Sequence, residues 1–408
     1  MHDMIYESRI KTHHMGKKLR SFVERPALLK DVLDSPGDRH QVIYIHIPYC
    51  SNICSFCNMN RSLNRPKSYY IDLVIKQLKY YYQTKRFRES TFSSIYFGGG
   101  TPSVLSPEDL EKILNALHKY TNLEEDVEIT MESSLTDLDF DKFKTVTSAG
   151  VNRLSIGIQT FSDRGRQLLN RRGDGKFAYE RLDRMRNHGF ENLNIDLIYN
   201  YLGETEEELK QDLKTIEKLD LAGFSMYSLI IMEESKLGRK YQEFELNDSI
   251  KRDKKFFDFV INHTPSYEYL EITKKVRPNR DDYQYIRRRI AGKDTFPLGA
   301  GAGGGIGNLA LMNPIKIDDY EKTVNNPESI QGMYFKDEYF KYKKAIDTLQ
   351  LLYYDPSILK DSRIDHRLNE LEENGYCFYK NGKYHLTDLG IFWGNNIIDD
   401  LWNIVIKN

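Results

Sequence analysis

From residue 41 to about 230 the chain repeats one pattern six times, and this alternation constrains the fold more than any other feature. A short apolar run is followed each time by a longer amphipathic stretch. The runs are QVIYIHIPYC (41–50), SSIYFGGG (93–100), DVEITMES (126–133), NRLSIGIQ (152–159), ENLNIDLIYN (191–200) and GFSMYSLII (223–231). Their Val- and Ile-rich composition suits strands buried on both faces of a parallel sheet. Between them SYYIDLVIKQLKYYYQTKR (68–86) carries apolar residues at helical spacing. Ser106-Pro107-Glu108 opens a further helix with capping chemistry, and Gly150 suits the end of another. Six strand–helix units predict a parallel α/β fold, expected as a partial (β/α)6 TIM-like barrel open on one side. A flat doubly wound sheet has the same periodicity and stays open as the alternative. In both, the active site is expected at the C-terminal ends of the strands.

Four segments are expected: an N-terminal arm (1–40), the barrel (41–235), an extension with Arg-rich and Gly-rich stretches (236–330) and a C-terminal domain (331–408). In the last, Asn381-Gly382 between YCFYK and KYHLT is a two-residue hairpin signal, and the helix–helix–hairpin order resembles a winged helix. The 408 residues, 40% hydrophobic and 29% charged with a net charge of −1, fit a globular protein and give no whole-chain reason to expect nucleic acid. The charged first twenty residues lack the apolar core of a secretion signal, and no apolar run is long enough to span a bilayer. A cytoplasmic location is expected.

Three of the four cysteines, Cys50, Cys54 and Cys57, fall within eight positions at the end of the first strand. Such crowding in a reducing compartment points to metal or redox chemistry, whereas the isolated Cys377 reads as structural. Three thiolates suit an iron–sulfur cluster that keeps one iron open. A zinc site completed by His46, or simple packing, is the alternative.

Cys-x3-Cys-x2-Cys with Phe56 before the last cysteine resembles the radical S-adenosylmethionine (SAM) superfamily. YIHIPYC, YFGGGTPS (96–103), Glu132 in TMES, GVNRLSIGIQTF (150–161), NRR (170–172) and NIDLIYN (194–200) resemble its coproporphyrinogen III dehydrogenase-like branch. The resemblance implies a [4Fe–4S] cluster on Cys50, Cys54 and Cys57, with two SAM molecules, one cleaved to a 5′-deoxyadenosyl radical. It also implies cofactor contacts from Tyr44, Phe56, Gly99, Gly100, Thr101, Glu132, Gln159, Arg171, Asp196 and Gly301. Gly98, Gly99 and Gly100 would let backbone approach the methionyl amine. Glu132 would accept from that amine, and Gln159 and Arg171 would face its carboxylate.

DTFPLGAGAGG (294–304) looks most like the anaerobic haem-opening methyltransferases, the anaerobilin synthases. The haem-chaperone pattern His-Asn-x2-Tyr-Trp is absent before this loop, and Met59 departs from the decarboxylases' extended cysteine motif. The resemblance implies haem or a related tetrapyrrole as partner, methyl transfer with ring opening as the reaction, and a low-potential donor such as flavodoxin or ferredoxin. Oxidative decarboxylation of coproporphyrinogen III and non-catalytic haem trafficking are the alternatives. Arg277, Arg280, Arg287, Arg288 and Arg289 are candidates for propionates, with Arg288 and Tyr227 as candidate catalytic groups. The side-chain-poor loop at 298–308 could seat a flat macrocycle or second cofactor. His13 and His14, on a mobile N-terminal arm, are candidate haem-iron ligands.

Overall fold

The computed structural model describes residues 5–11, 18–57, 62–241 and 250–406. The six expected runs form consecutive parallel strands: β2 (Gln41–Ile47), β3 (Phe92–Gly99), β4 (Leu123–Ser133), β5 (Arg153–Gln159), β6 (Leu193–Tyr199) and β7 (Gly223–Ser228). They are preceded by β1 (Val23–Leu28) and followed by β8 (Glu268–Glu271), β9 (Lys274–Val276), β10 (Thr295–Leu298), β11 (Gly303–Ile306), β12 (Leu309–Met312) and β13 (Gln331–Phe335). Together they make one sheet in the order β1-β13-β12-β11-β10-β2-β3-β4-β5-β6-β7-β9-β8.

The order decides between barrel and flat sheet. Strands β2 to β7 follow one another in space as in sequence, with no reversal point. Right-handed crossovers that always step the same way leave every helix on one face, and the twisted sheet then curls around its other face. A doubly wound sheet needs a reversal within such a series, and none exists between β2 and β7. The chain therefore forms a partial barrel, to which β10 adds a further parallel strand beside β2, with antiparallel strands beyond β10 and beyond β7.

Side-chain alternation follows from the curl. Ile43, Ile45, Ile47, Ile95, Phe97, Ile129, Met131, Leu154, Ile156, Ile195 and Leu197 are buried in one continuous apolar core, in the layer between sheet and helices. The intervening residues point into the lumen and are mostly polar or aromatic, among them Tyr44, His46, Tyr96, Glu132, Asp196 and Tyr227. The helices begin as their sequence dictates. Ser106 accepts from the Asp109 N–H with Pro107 at the first turn, and Thr205 and Glu208 form a reciprocal capping box.

The lumen is closed at the strands' entry ends. Helix Gln284–Ile290 lies there, with the Gln284 and Tyr285 N–H groups donating to Glu128. Just before it Asp281 forms a two-pronged ion pair with Arg153 at 2.9 and 3.0 Å, fully buried, with Lys274 3.4 Å away. Arg153 also stacks over Tyr283.

Two expectations for the chain's ends change. The N-terminal arm is not free. Strand β1 pairs with β13 at the sheet edge, and residues 5–11 are tied to the C-terminal segment and the barrel by Ile5 to Tyr376, Ile10 to Asn396 and Arg9 to Asp253. His13 and His14 lie outside the described residues, as does Met59. Strand β13 opens the segment expected as a separate C-terminal domain, yet pairs within the large sheet. After it come helices Asp337–Ile346, Ser362–Glu373 and Gly394–Ile406 around a small sheet of β14 (Tyr353–Tyr354), β15 (Cys377–Lys380) and β16 (Lys383–Leu386). Asn381 and Gly382, at φ 52° and 80°, make the turn between β15 and β16, the double left-handed conformation a two-residue hairpin requires. Cys377 is buried there, its thiol pushed up to about 12 by burial and kept out of thiolate chemistry. Among the described residues no helix is long and apolar enough to cross a membrane.

Candidate functional site

A cavity of about 490 Å³ opens at the C-terminal ends of the parallel strands, where the fold predicts a site. Cys50, Cys54 and Cys57 all line it, on the loop leaving β2. Four segments pin that loop. Ser62 exchanges backbone hydrogen bonds with Pro48 and Cys50, the Gly100 and Thr101 N–H groups donate to Ile47 and Tyr49, Ser55 donates to Leu169, and the Leu237 N–H donates back to Ser55. The thiols are thus held in place by backbone contacts made before any ligand arrives.

The three glycines after β3 each make room for a protein group. A methyl at Gly100 would lie 2.4 Å from the Tyr49 carbonyl oxygen and 3.0 Å from Cys50 Sγ. One at Gly99 would meet the His46 ring at 2.7 Å. One at Gly98 would press on the Glu132 carboxylate, Tyr44 and Tyr96, each at 3.1 Å. Gly98 does not line the cavity, so the expectation that all three expose backbone to a ligand is corrected: Gly99 and Gly100 do, and Gly98 admits Glu132.

Of the other expected residues, Phe56, Thr101, Glu132, Gln159, Arg171, Asp196 and Tyr227 all line the cavity. Gln159, at φ 66°, is buried with its side-chain oxygen lacking a hydrogen-bond partner, and Arg171 Nε and Ser228 Oγ are likewise unpartnered. Such orphaned groups in a concave site suit a polar ligand. Arg171 places Nη1 2.9 Å from Cys54 Sγ and also donates to the Gly157 carbonyl, where glycine leaves space for the guanidinium and Gln159. Burial pushes the Glu132 carboxyl up to about 7, opposed by hydrogen bonds from Tyr96 and Gly99 and reinforced by Asp196. Tyr227 projects into the cavity and stays 41% exposed.

Three expectations are corrected. Tyr44 lies one layer below the cavity, its hydroxyl 3.0 Å from His46 Nδ1. Gly301 is not part of a bare ligand platform either. Its N–H donates to Pro314, and its neighbours Gly299 and Ala300 are satisfied by Gln77, Tyr320 and Tyr70, because the segment is the bend between β10 and β11. The arginines lie at the opposite end of the barrel. Arg277 pairs with Glu217 and Asp220, Arg280 with Asp220 and Glu191, and Arg287, Arg288 and Arg289 ride the helix that closes the floor. Proximity in sequence concealed that this stretch runs along the strands' entry ends, so Arg288 is not a candidate at the cavity. Sequence reasoning missed Arg172, Leu229, Ile230 and Met232 in the cavity wall, and Tyr96 behind Glu132. Arg172 stood inside the NRR motif, and Tyr96 sits two residues before Gly98 on the same strand face; Leu229, Ile230 and Met232 carried no signal.

Among the described residues no three His, Cys, Asp or Glu side chains converge closely enough for a single metal ion. His46 is turned against Gly99 and hydrogen-bonded to Tyr44, away from a zinc site with the cysteines. Three thiols around shared space suit a multi-iron cluster.

The comparisons agree with this geometry. The heme chaperone HemW of Lactococcus lactis is 27% identical over 369 residues, spanning 87% of this chain and 96% of that protein. The anaerobilin synthase of Escherichia coli is 26% identical over 291 residues, spanning 70% of this chain and 65% of that protein. The solved structure of Escherichia coli coproporphyrinogen III oxidase superposes with a TM-score of 0.77 at 22% identity, covering 91% of this chain and 92% of that one. The family model of the Radical SAM superfamily matches residues 44–216, the segment that builds the cysteine loop and most of the cavity wall, and this segment is a Radical SAM domain.

Proposed function

We propose that the protein is a radical SAM enzyme that degrades haem without oxygen, by methyl transfer and opening of the macrocycle to a linear tetrapyrrole with release of iron. The observation that carries the reading is the cavity's wall. Phe56, Ile198, Leu229, Ile230 and Met232 make it largely apolar, and Arg171 and Arg172 are its only cationic side chains among the described lining residues. An apolar macrocycle with only two propionates asks least of that wall, in which Arg172 is the one cation not facing SAM. Coproporphyrinogen III, with four, demands more cationic partners than the wall offers. The likeness to anaerobilin synthase supports the same choice.

Radical SAM proteins use a [4Fe–4S] cluster and SAM, which together supply a carbon-centred radical after one-electron reduction. In this chain Cys50, Cys54 and Cys57 would hold the cluster. Glu132, Gln159, Arg171 and Asp196 would orient the first SAM, with the carboxylate oxygens for its amine and hydroxyls and the Gln159 amide and Arg171 guanidinium for its carboxylate. A second SAM would supply the methyl group. The apolar wall would exclude water from the reacting carbon, and the plugged floor would keep solvent from entering below. The electron would come from an external low-potential donor such as flavodoxin or ferredoxin.

A second reading, haem trafficking without turnover, is favoured by the near full-length likeness to HemW. Anaerobic reconstitution with dithionite and SAM separates the two. Haem and coproporphyrinogen III are offered in turn and products read by mass spectrometry. A methylated linear tetrapyrrole from haem is the expected product. Loss of carbon dioxide from coproporphyrinogen III, or haem bound and recovered intact, would sink the proposal in favour of decarboxylase or chaperone respectively.

A further inference from the structure

The carboxylate of Glu132 is held from behind by a residue with no assigned role. Its Oε1 accepts from the Tyr96 hydroxyl at 2.7 Å and its Oε2 from the Gly99 N–H at 3.2 Å. Both donors belong to β3, the strand beside Glu132's own. With one lone pair on each oxygen taken from the strand side, the remaining lone pairs are left for the cavity. Tyr96 is itself fixed: its ring stacks on Tyr285 with centroids 4.2 Å apart, and its side chain is buried. Gly98 completes the arrangement, since any side chain there would separate tyrosine and glutamate.

We propose that Tyr96 is a positioning residue, whose hydroxyl aims the Glu132 carboxylate into the cavity and keeps it ionised so that it accepts from the amine of SAM. The proposal rests on the reading of Glu132 as the group that receives that amine. The groups facing Glu132 from each packed element are Tyr44 on β2, Tyr96 on β3, Arg153 on β5, Asp196 on β6, Tyr227 on β7 and Tyr285 on the floor helix. Asp196 opposes ionisation and Arg153 favours it, the guanidinium already committed to Asp281. Tyr96 is the one neutral side chain that donates directly to the carboxylate. Because burial raises the Glu132 carboxyl to about 7, loss of this donor acts near neutral pH.

The test compares wild type, Tyr96→Phe and Glu132→Gln, each reconstituted anaerobically with its cluster, by equilibrium binding of SAM between pH 6 and 9. Titration of the ligand's own amine is common to all three and drops out of the comparison. Phenylalanine keeps the ring and its stacking on Tyr285, so iron content and circular dichroism should match wild type. One lost hydrogen bond to a charged acceptor is about a tenfold effect. Tyr96→Phe is therefore expected to bind SAM about fivefold more weakly at pH 7 and nearly tenfold more weakly at pH 6. Its curve should be displaced about one pH unit upward and rejoin wild type near pH 9. Glu132→Gln should bind weakly, without the carboxylate's contribution to the profile. If Glu132→Gln is weak while Tyr96→Phe coincides with wild type, the positioning role is wrong. A Tyr96→Phe loss equal at every pH would mark a merely structural role and also overturn it. If Glu132→Gln binds as wild type does, the reading of Glu132 fails first.

Discussion

Substituting Gly100 by alanine tests whether the cysteine loop is shaped by packing against β3. The added methyl would sit 2.4 Å from the Tyr49 carbonyl oxygen, 2.9 Å from its carbon and 3.0 Å from Cys50 Sγ. Restoring ordinary contact requires the loop to retreat by roughly 1 Å. Two hydrogen bonds resist that movement, Gly100 N–H to Ile47 at 2.8 Å and Thr101 N–H to Tyr49 at 2.7 Å. Losing both costs about 2 kcal/mol, and residual overpacking adds about 1–3 kcal/mol. The barrel core is untouched, so the strain falls on the loop. Ligand atoms must lie within about 0.2 Å of their bonding distances, and a shift of roughly 1 Å at Cys50 exceeds that several-fold. Gly100→Ala should therefore fold but retain iron about tenfold more weakly after reconstitution. Iron and sulfide per chain, visible absorbance and circular dichroism give the readout. Gly303→Ala is the control: its nearest atom is 3.9 Å away, and it should be neutral. Full iron content in Gly100→Ala with an unchanged unfolding midpoint would refute the packing argument.

Three further outcomes are expected. Asp281→Asn should cost about 3–5 kcal/mol in urea unfolding by stranding Arg153 in the floor, whereas Arg153→Met with Asp281→Leu should recover much of that loss; additive losses would contradict the pairing. Burial lowers His46 from its usual 6.5 to about 4. The unfolded chain therefore takes up that proton first as pH falls, and stability present above pH 6.5 is lost toward pH 4, by about 2 kcal/mol at pH 5. In His46→Gln that part of the pH dependence should vanish, and an unchanged urea profile between pH 5 and 7 would count against it. Cys54→Ala should abolish cluster assembly, while Cys377→Ser should keep full iron content and lower only the unfolding midpoint; a cluster in the first variant would break the ligand assignment.

The strands of the barrel were legible because each is an apolar run bounded by a capped helix. Their spatial order was not, since periodicity records burial and says nothing of which strand pairs with which. At the site, the residues that stand at C-terminal strand ends were found where the motifs implied. Those read from composition alone were misplaced: the arginines of 277–289 formed a persuasive cluster, yet ion pairs of Arg277 and Arg280 with Glu191, Glu217 and Asp220, and the floor helix carrying Arg287, Arg288 and Arg289, hold them at the strands' entry ends. The glycines of 298–308 suggested an open platform, but Gln77, Tyr70 and Tyr320, which satisfy Gly299 and Ala300, come from helices outside the loop. Long-range partners of this kind leave no local trace.

The floor built by Arg153, Asp281 and the helix Gln284–Ile290 makes the lumen a blind alley. Among the described residues, whatever reaches the cysteine loop enters by the mouth at the strands' C-terminal ends and leaves by it. A large flat guest seated across that mouth would then trap a smaller one beneath it, so traffic would have an order, with SAM entering first and departing last. Pre-incubation with the macrocycle should slow SAM association without changing its affinity at equilibrium, and rapid-mixing kinetics in both orders of addition would reveal whether the queue exists.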